Sequence, residues 1–334
     1  MKYVTLKNTD LRVSNICMGT GSFGERIEKK AAFEILDRYC ELGGNFIDTA
    51  NAYCKWIPGA GNCAEKILGE WLKTVDNSRV IVATKGGHYD FAAPQVSRIK
   101  ENEIRKDLEE SLQTLQRDCI DLYWLHRDDP TVPAEDVLAW LEKLREEGKI
   151  RYYGASNFTL ERLQEFEKCA AENHVQGFCA VSNQWSLARK KSAYGVGDDR
   201  TTVAASEEEY KWHVHTGMPL IPYSSTASGL FDRLYQAGVV AKNGKVIEPT
   251  GEINLPKPLL DEFLNERNLL IYEELCRRHA EEGTSLFALS IAYLFSQPFQ
   301  VIALSSVDVP EQVAGLVSAS ELTMDEAFVK KFGK

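Results

Sequence analysis

A closed (β/α)8 barrel, the TIM-barrel class of α/β fold, is what this sequence predicts, and three features lead to it. Short, largely apolar runs alternate about eight times with longer amphipathic stretches. No Pro-, Gly- or Ser-rich linker divides the 334 residues, so 1–334 read as a single domain. The length also suits a barrel, which often exceeds about 250 residues. A doubly wound sheet is the competitor, and eight units without a mid-chain break favour closure.

Taken in order, residues 3–6 and 11–13 flank a polar turn and read as a short hairpin ahead of the main fold. Predicted strands follow at 16–18, 45–48, 80–84, 119–125, 151–155, 177–184, 220–223 and 301–304. Their apolar character is that of parallel strands covered on the outside by helices. Predicted helices fill the gaps. Residues 29–42 put Ala32, Ile35, Leu36 and Tyr39 on one face before Gly43-Gly44 stops the helix. Residues 101–115 repeat the pattern with Ile104, Leu108, Leu112 and Leu115. Helices at 135–147 and 160–172 come next, the latter capped by Thr159, then a weaker one at 206–216. Segments 259–279, 285–295 and 309–318 complete the set. Residues 54–63 and 187–204 read as irregular loops on the face at the strand C-termini, where barrels keep their chemistry. The segment 236–258 is a third, Gly-containing excursion.

Composition narrows the function. With 49 acidic residues against 39 Lys and Arg, the formal charge is -10, which weighs against a nucleic-acid partner. No apolar run approaches the ~18 residues of a membrane span, and the opening MKYVTLKNTD lacks the core of a signal peptide. The expected setting is therefore the cytoplasm, with no membrane partner. Cys17, Cys40, Cys54, Cys63, Cys119, Cys169, Cys179 and Cys276 contain no CxxC pair. We expect neither a structural disulfide nor a metal site from them.

Four polar residues carry the chemical signal. Asp48 ends the second predicted strand, Tyr53 follows five residues later, Lys85 ends the third strand and His126 the fourth. Singly, each has a plain reading as a cap, a loop tyrosine, a solvated strand end and a rim histidine. Jointly, they fit one chemistry. A phenol titrates near ~10, a neighbouring ammonium stabilises its anion, and a carboxylate can hold the ammonium in place. An imidazole beside the phenol can orient a carbonyl. Such a set suits proton transfer to an oxygen while hydride reaches the attached carbon. No GxSxG elbow is present to support acyl transfer.

These residues also resemble the aldo-keto reductases. The resemblance is carried by Asn45-Phe46-Ile47-Asp48-Thr49-Ala50 with Tyr53, Ala83-Thr84-Lys85, Asp121-Leu122-Tyr123-Trp124-Leu125-His126, Gly154-Ala155-Ser156-Asn157-Phe158, Asn183-Gln184 and Tyr223-Ser224. Six ordered blocks span nearly the whole chain. The resemblance implies a barrel closed at the bottom by the N-terminal hairpin, and NAD(P)-dependent reduction of aldehydes or ketones, or the reverse, without metal or flavin. It implies that Tyr53 is the proton donor or acceptor, that Lys85 depresses its pKa, that Asp48 pairs with Lys85 and that His126 orients the carbonyl. Ser156, Asn157 and Gln184 would hold the nicotinamide carboxamide and Tyr223 would stack on its ring. Ser224, Thr226, Ser228 and Leu230 would lie beside the pyrophosphate. Gly19 and Thr20, on a GxG signal that is weak alone, join the expected cofactor contacts together with Asp48.

One block departs from the family pattern. Ser306-Val307-Asp308 offers no cation for a 2'-phosphate, and Gly315-Leu316 replaces the usual adenine-contacting pair. A carboxylate suits a ribose diol and repels a phosphate, so NAD(H) or dual use is favoured over NADP(H) alone. Ser306, Asp308 and Gln312 are the expected adenosine-side residues. Asp308 also reads as a charge at a helix start, and Lys242 or Lys245 could restore phosphate binding. Trp56 and Trp185 read either as substrate walls or as loop packing, and His88 as pocket polarity or a solvated loop residue. His213 and His215 read as surface residues. Two tryptophans among polar loops tilt the substrate toward a sugar- or polyol-derived carbonyl. The alternative function is a nucleotide-binding accessory subunit with little turnover; a phosphate-binding barrel lyase or isomerase comes third.

Overall fold

A computed structural model describes residues 1–192, 201–248 and 251–333. Gly195, Gly197, Asp198 and Asp199 of the predicted 187–204 loop lie outside them. Seven parallel strands run side by side in the order Ala303–Ser305, Ile16–Gly19, Phe46–Asp48, Ile81–Gly86, Ile120–Leu125, Ile150–Ser156 and Val181–Ser182. Leu220 fills the space between the last and the first through single parallel bridges to Val181 and Val301. Hydrogen bonds from Ile221 N to Val181 O (2.8 Å) and from Ile302 N to Leu220 O (3.0 Å) close the ring. The expected strand at 220–223 is thus reduced to bridges. Pro222, in the middle of it, has no N–H to give a longer ladder.

Side chains alternate between two cores. Cys17, Phe46, Ala83, Leu122, Trp124 and Leu304 fill the barrel interior with Leu6, Leu11 and Val13 of the N-terminal hairpin, Tyr3–Thr5 paired with Arg12–Ser14. Met18, Ile47, Val82, Tyr123 and Leu125 face the helices instead. The two-residue period then dictates the layer above the inner core. Two residues beyond Phe46, Ala83 and Leu122 stand Asp48, Lys85 and Trp124, and two further stands His126.

The helices Lys29–Glu41, Glu101–Leu115, Ala134–Glu146, Leu160–Glu172, Glu207–Thr216 and Leu286–Phe295 lie where their apolar periods put them. Thr159, Ser206 and Ser285 cap three of these through side-chain oxygens. Four differences stand out. Helix Cys63–Leu72 lies where no helix is expected, directly after the 54–63 loop, although Ala64, Leu68, Trp71 and Leu72 have helical spacing. The 259–279 segment divides into Lys257–Phe263 and Glu266–Glu282, because the side chain of Asn265 caps the second piece. The 236–258 excursion contains a hairpin, Val240–Lys242 with Lys245–Glu248, around Asn243-Gly244. Both turn residues have positive φ (53° and 71°), the conformation an Asn-Gly hairpin turn demands. Short helices Leu230–Gln236 and Glu326–Phe332 also form. Among the described residues no helix is long and apolar enough to cross a membrane.

Candidate active site

The path of the chain after the second strand sets the site. Thr49 N donates to Ala83 O (2.9 Å) and Asn51 N to Lys85 O (3.0 Å), so this segment follows the third strand to its end. Tyr53 is delivered directly beside Lys85. The turn is tied down from outside, where Lys55 Nζ reaches Glu110 (2.7 Å) and Asn51 Nδ2 reaches the same carboxylate (3.2 Å) on helix Glu101–Leu115.

Lys85 is buried and its three ammonium donors are all used. They go to the Asp48 carboxylate, to Thr49 O at 2.7 Å and to the Tyr53 hydroxyl at 3.1 Å. The second oxygen of Asp48 accepts from Trp124 Nε1 at 3.1 Å. Room for the Trp124 ring comes from Gly154 on the fifth strand, where a Cβ would stand 2.5 Å from it. His126 meets Tyr53 edge-on, with centroids 6.0 Å apart, and its Nδ1 is buried without a hydrogen-bond partner.

Electrostatics correct one expectation. Burial raises the Tyr53 phenol above its usual range and outweighs the downward pull of Lys85. Lys85 alone does not make this phenol acidic, because a desolvated phenolate costs more than one ammonium returns. Burial opposes the charge on Lys85 as well, but Asp48 and Tyr53 prevail and keep the ammonium above its ordinary value. The carboxyl of Asp48 is pushed up by burial against Lys85 and Trp124. Burial, helped by the charges of His88, Arg127 and Lys85, holds His126 well below the ordinary histidine value, so its imidazole is neutral. The cluster can therefore donate a phenolic proton beside a neutral imidazole.

The expected nicotinamide residues lie on adjoining strand ends. Asn157, in left-handed backbone (φ 63°), donates to His126 O at 3.1 Å. Its Oδ1 accepts from the hydroxyl of Tyr223 at 2.7 Å, which fixes that ring. Ser156 Oγ donates to Ser182 O at 2.8 Å. Gln184 is buried, and its side-chain amide makes no hydrogen bond to the described residues. Thr20 donates its hydroxyl to Asp48 O (3.1 Å), and a Cβ on Gly19 would meet Leu304 at 3.3 Å. Ser224, Ala227 and Ser228 all have positive φ, a concentration of backbone strain in which Ser224 and Ser228 are exposed, Thr226 is half-buried and Ala227 is buried. The side chain of Leu230 is core.

On the far side, Gln312 Oε1 accepts from Asp308 N at 2.8 Å, beside exposed Ser306. The cation that the sequence reading misses here is Arg233, 3.8 Å from the Asp308 carboxylate and bonded to Ser228 O at 2.9 Å. Lys242 and Lys245 lie on the hairpin, which packs against helix Glu266–Glu282.

Substrate-side residues separate into two groups. Trp56 stands edge-on to Tyr53 (6.3 Å) and Phe91 (5.7 Å), and His88 lies against His126 (4.7 Å) and Phe91 (5.0 Å). Trp185 is a correction. Its ring packs on Tyr210 and Tyr293 in the helical layer and borders a cavity of about 550 Å³ that Gln184 also lines, because the residue after inward Gln184 must face outward. His213 is a second correction, fully buried with Nδ1 on Met218 O (2.8 Å) and its ring stacked on Phe299, while His215 is exposed. A third is the disulfide Cys54–Cys63, which joins the residue after Tyr53 to the first turn of the unexpected helix.

A parallel barrel with this cluster at its strand ends defines an oxidoreductase of carbonyl and alcohol groups. Residues 15–334 match the aldo/keto reductase family, and the chain belongs to it. It is similar to the uncharacterized oxidoreductase YrpG of Bacillus subtilis, 26% identical over 99% of this chain and 94% of that protein. It is also similar to the norsolorinic acid reductase stcV of Emericella nidulans, 27% identical over 89% and 72% of the two chains. Among solved structures, the glycerol dehydrogenase of Gluconobacter oxydans aligns with a TM-score of 0.73 at 22% identity, covering 99% of this chain and 94% of that one. A holo aldo-keto reductase of Bacillus halodurans gives 0.71 at 24%, covering 99% and 95%. At these identities the structural likeness speaks to the fold.

Proposed function

We propose that this protein interconverts a small carbonyl compound and its alcohol with NAD(H), or with both nicotinamide dinucleotides, using Tyr53 as the proton donor in reduction and acceptor in oxidation. One observation carries the reading: the Tyr53 hydroxyl lies 3.1 Å from an ammonium that Asp48 holds in a buried pair. The carbonyl oxygen takes its proton from Tyr53, the negative charge left on the phenol is met by Lys85, and neutral His126 orients the oxygen. The nicotinamide, when bound, supplies or accepts the hydride.

The residues present fit such a group. Gln184 has an open amide for the carboxamide, the Tyr223 ring is tethered at its hydroxyl, and the strained backbone at 224–228 leaves polar groups on the rim. Ser156 and Asn157 are the companions we assign to Gln184. Trp56, His88 and Phe91 form the proposed substrate wall, an aromatic face with a polar edge that suits a sugar- or polyol-derived carbonyl. Likeness to a glycerol dehydrogenase and to norsolorinic acid reductases puts both glycerol and norsolorinic acid into the test panel.

The test is a cofactor-linked absorbance assay of purified protein with NADH and NADPH over aldoses, ketoses, simple aldehydes and aryl ketones. We expect turnover that Tyr53→Phe lowers by about 10²- to 10⁴-fold. Near-normal turnover in that variant overturns the assignment. Tight nucleotide binding with no turnover on any carbonyl favours the accessory-subunit alternative.

A further inference from the structure

The residue after His126 is an arginine, and its side chain belongs to the same cluster. Arg127 Nη1 donates to His126 O at 2.8 Å and Nε to Thr201 Oγ1 at 2.9 Å. Its guanidinium carbon lies 5.7 Å from the ring centre of Tyr89, and that ring packs on His88 at 4.1 Å. Three anchors therefore hold a half-buried cation against the wall that Tyr53 and His126 share. Its charge is felt at both, since it pulls the titration of each downward.

The charge balance around this cation differs from that of Arg98, Arg162 and Lys85. Arg98 carries the carboxylates of Glu103 and Asp107, and Arg162 those of Asp128 and Glu165. Lys85 is balanced by Asp48. Arg127 pairs with no carboxylate among the described residues. Asp128, next in sequence, is turned to Arg162, and Asp129 takes the hydroxyl of Thr131 at 2.6 Å. Glu25, on the other side of the wall, accepts from Trp56 Nε1 at 3.1 Å. Of five guanidinium N–H groups, two are engaged in these bonds. What remains is a planar, pre-positioned fork of the kind that grips a carboxylate or phosphate through paired donors.

We propose that Arg127 is an anion-recognition subsite beside the reacting carbonyl, so that the preferred substrates carry a carboxylate or phosphate on the carbon chain that bears the aldehyde, ketone or alcohol. The inference rests on the role assigned to Tyr53 and His126. It names the class of substrate they serve. A strut that only held the Thr201 segment would affect charged and uncharged substrates alike.

Matched pairs separate the two roles and the two anions. Kinetics with saturating reduced nicotinamide cofactor are compared for succinic semialdehyde against butanal, and for glyceraldehyde 3-phosphate against glyceraldehyde. The wild-type protein should favour the charged member of at least one pair in kcat/KM, through KM rather than kcat. Arg127→Gln should cut that charged-to-uncharged ratio by about 10- to 100-fold, the scale of a charge-assisted hydrogen-bonded contact, and Arg127→Lys should recover part of it. A ratio that Arg127→Gln leaves unchanged, or a wild type without preference in either pair, overturns the subsite. Failure on every carbonyl instead sinks the reading of Tyr53. The subsite is then judged by titrating wild type and Arg127→Gln with succinic semialdehyde and following tryptophan fluorescence, where equal binding overturns it and weaker binding by the variant supports it.

Discussion

The Lys85 ammonium lies 3.1 Å from the Tyr53 hydroxyl, and yet burial keeps that phenol titrating above its usual range near 10. Below that range the phenol is protonated, the form that reduction needs. Reduction should therefore be nearly flat in kcat/KM from neutrality toward pH ~10, then fall. Oxidation needs the phenolate and should climb by about tenfold per pH unit over the same interval. His126 titrates well below 6.5, so no inflection belongs there in either direction. Lys85→Met removes the charge that opposes desolvation, and oxidation should suffer more than reduction. Full pH profiles of both directions check this; a reduction limb centred near 6.5 contradicts it.

Gly154 connects the fifth strand to the same pair at one remove. A Cβ there would come within 2.5 Å of the Trp124 ring and 2.8 Å of Ala180 O, and Trp124 is the donor that fixes the free oxygen of Asp48. Gly154→Ala should cost about 1–3 kcal/mol in urea unfolding and lower kcat as well. Adding Trp124→Leu to that variant should return part of the stability but not the activity. Strict additivity of the two changes would show that ring and methyl never met.

Why some of this was legible and some not follows from distance along the chain. Asp48, Lys85 and His126 stand at inward positions counted in twos from Phe46, Ala83 and Leu122, so strand periodicity alone brings them to one layer. The same count explains Trp185, which must face away from Gln184. His213 sits four residues after buried Glu209, whose carboxylate serves Asn183 at 2.9 Å; a polar inward stripe of this kind looks like surface to a hydrophobicity pattern. Helix Cys63–Leu72 brings Cys63 onto Cys54, and the ring closure brings Arg233 to Asp308, pairings that nothing in local sequence specifies. The Asn243-Gly244 hairpin was available as a turn signal and needed only two flanking strands to be noticed.

Arg233 and Asp308 give the cofactor preference a handle. Their 3.8 Å contact is partly exposed, so the pair itself adds little to stability, but Asp308 occupies the one guanidinium at this rim position among the described residues. Asp308→Ser removes the repelling carboxylate and frees Arg233 for a 2'-phosphate. Affinity for NADPH relative to NADH should rise by about tenfold or more, the scale of a charge-assisted contact. Arg233→Ala should move the ratio the other way. Fluorescence titration of the two nucleotides reads both; an unchanged ratio in Asp308→Ser removes this pair from cofactor selection.

The Cys54–Cys63 bridge closes the loop that carries Trp56, with Cys54 itself in left-handed backbone (φ 71°) directly after Tyr53. Closing so short a loop stabilises by roughly 2–3 kcal/mol in the chain-entropy account. Alkylation under denaturing conditions without reductant should find the six thiols of Cys17, Cys40, Cys119, Cys169, Cys179 and Cys276, and two more after reduction. Cys63→Ser should lower the melting temperature and, by loosening Trp56, raise KM more than it lowers kcat. Eight reactive thiols before reduction would remove the bridge from the account.

Glu65 tests the burial argument away from the chemistry. It is fully buried, accepting from Thr84 Oγ1 at 2.6 Å and Asn62 Nδ2 at 2.8 Å, and burial outweighs these bonds to push its carboxyl up to about 6 from an ordinary 4.5. A folded-state pKa above the unfolded value means that the native protein binds the proton more tightly. The associated stability is present below pH ~4.5, declines as pH rises through about 6, and by pH 7 has fallen by about 2 kcal/mol. Glu65→Gln keeps an acceptor for Thr84 while its amide turns toward Asn62, which can flip to receive it. The variant should gain on the wild type by roughly that amount between pH 4.5 and 7 in urea unfolding, with the two curves running parallel outside the window. Parallel curves across the whole range would mean that this carboxyl ionises at its ordinary pH, and that solvent reaches it despite its place beneath the third strand.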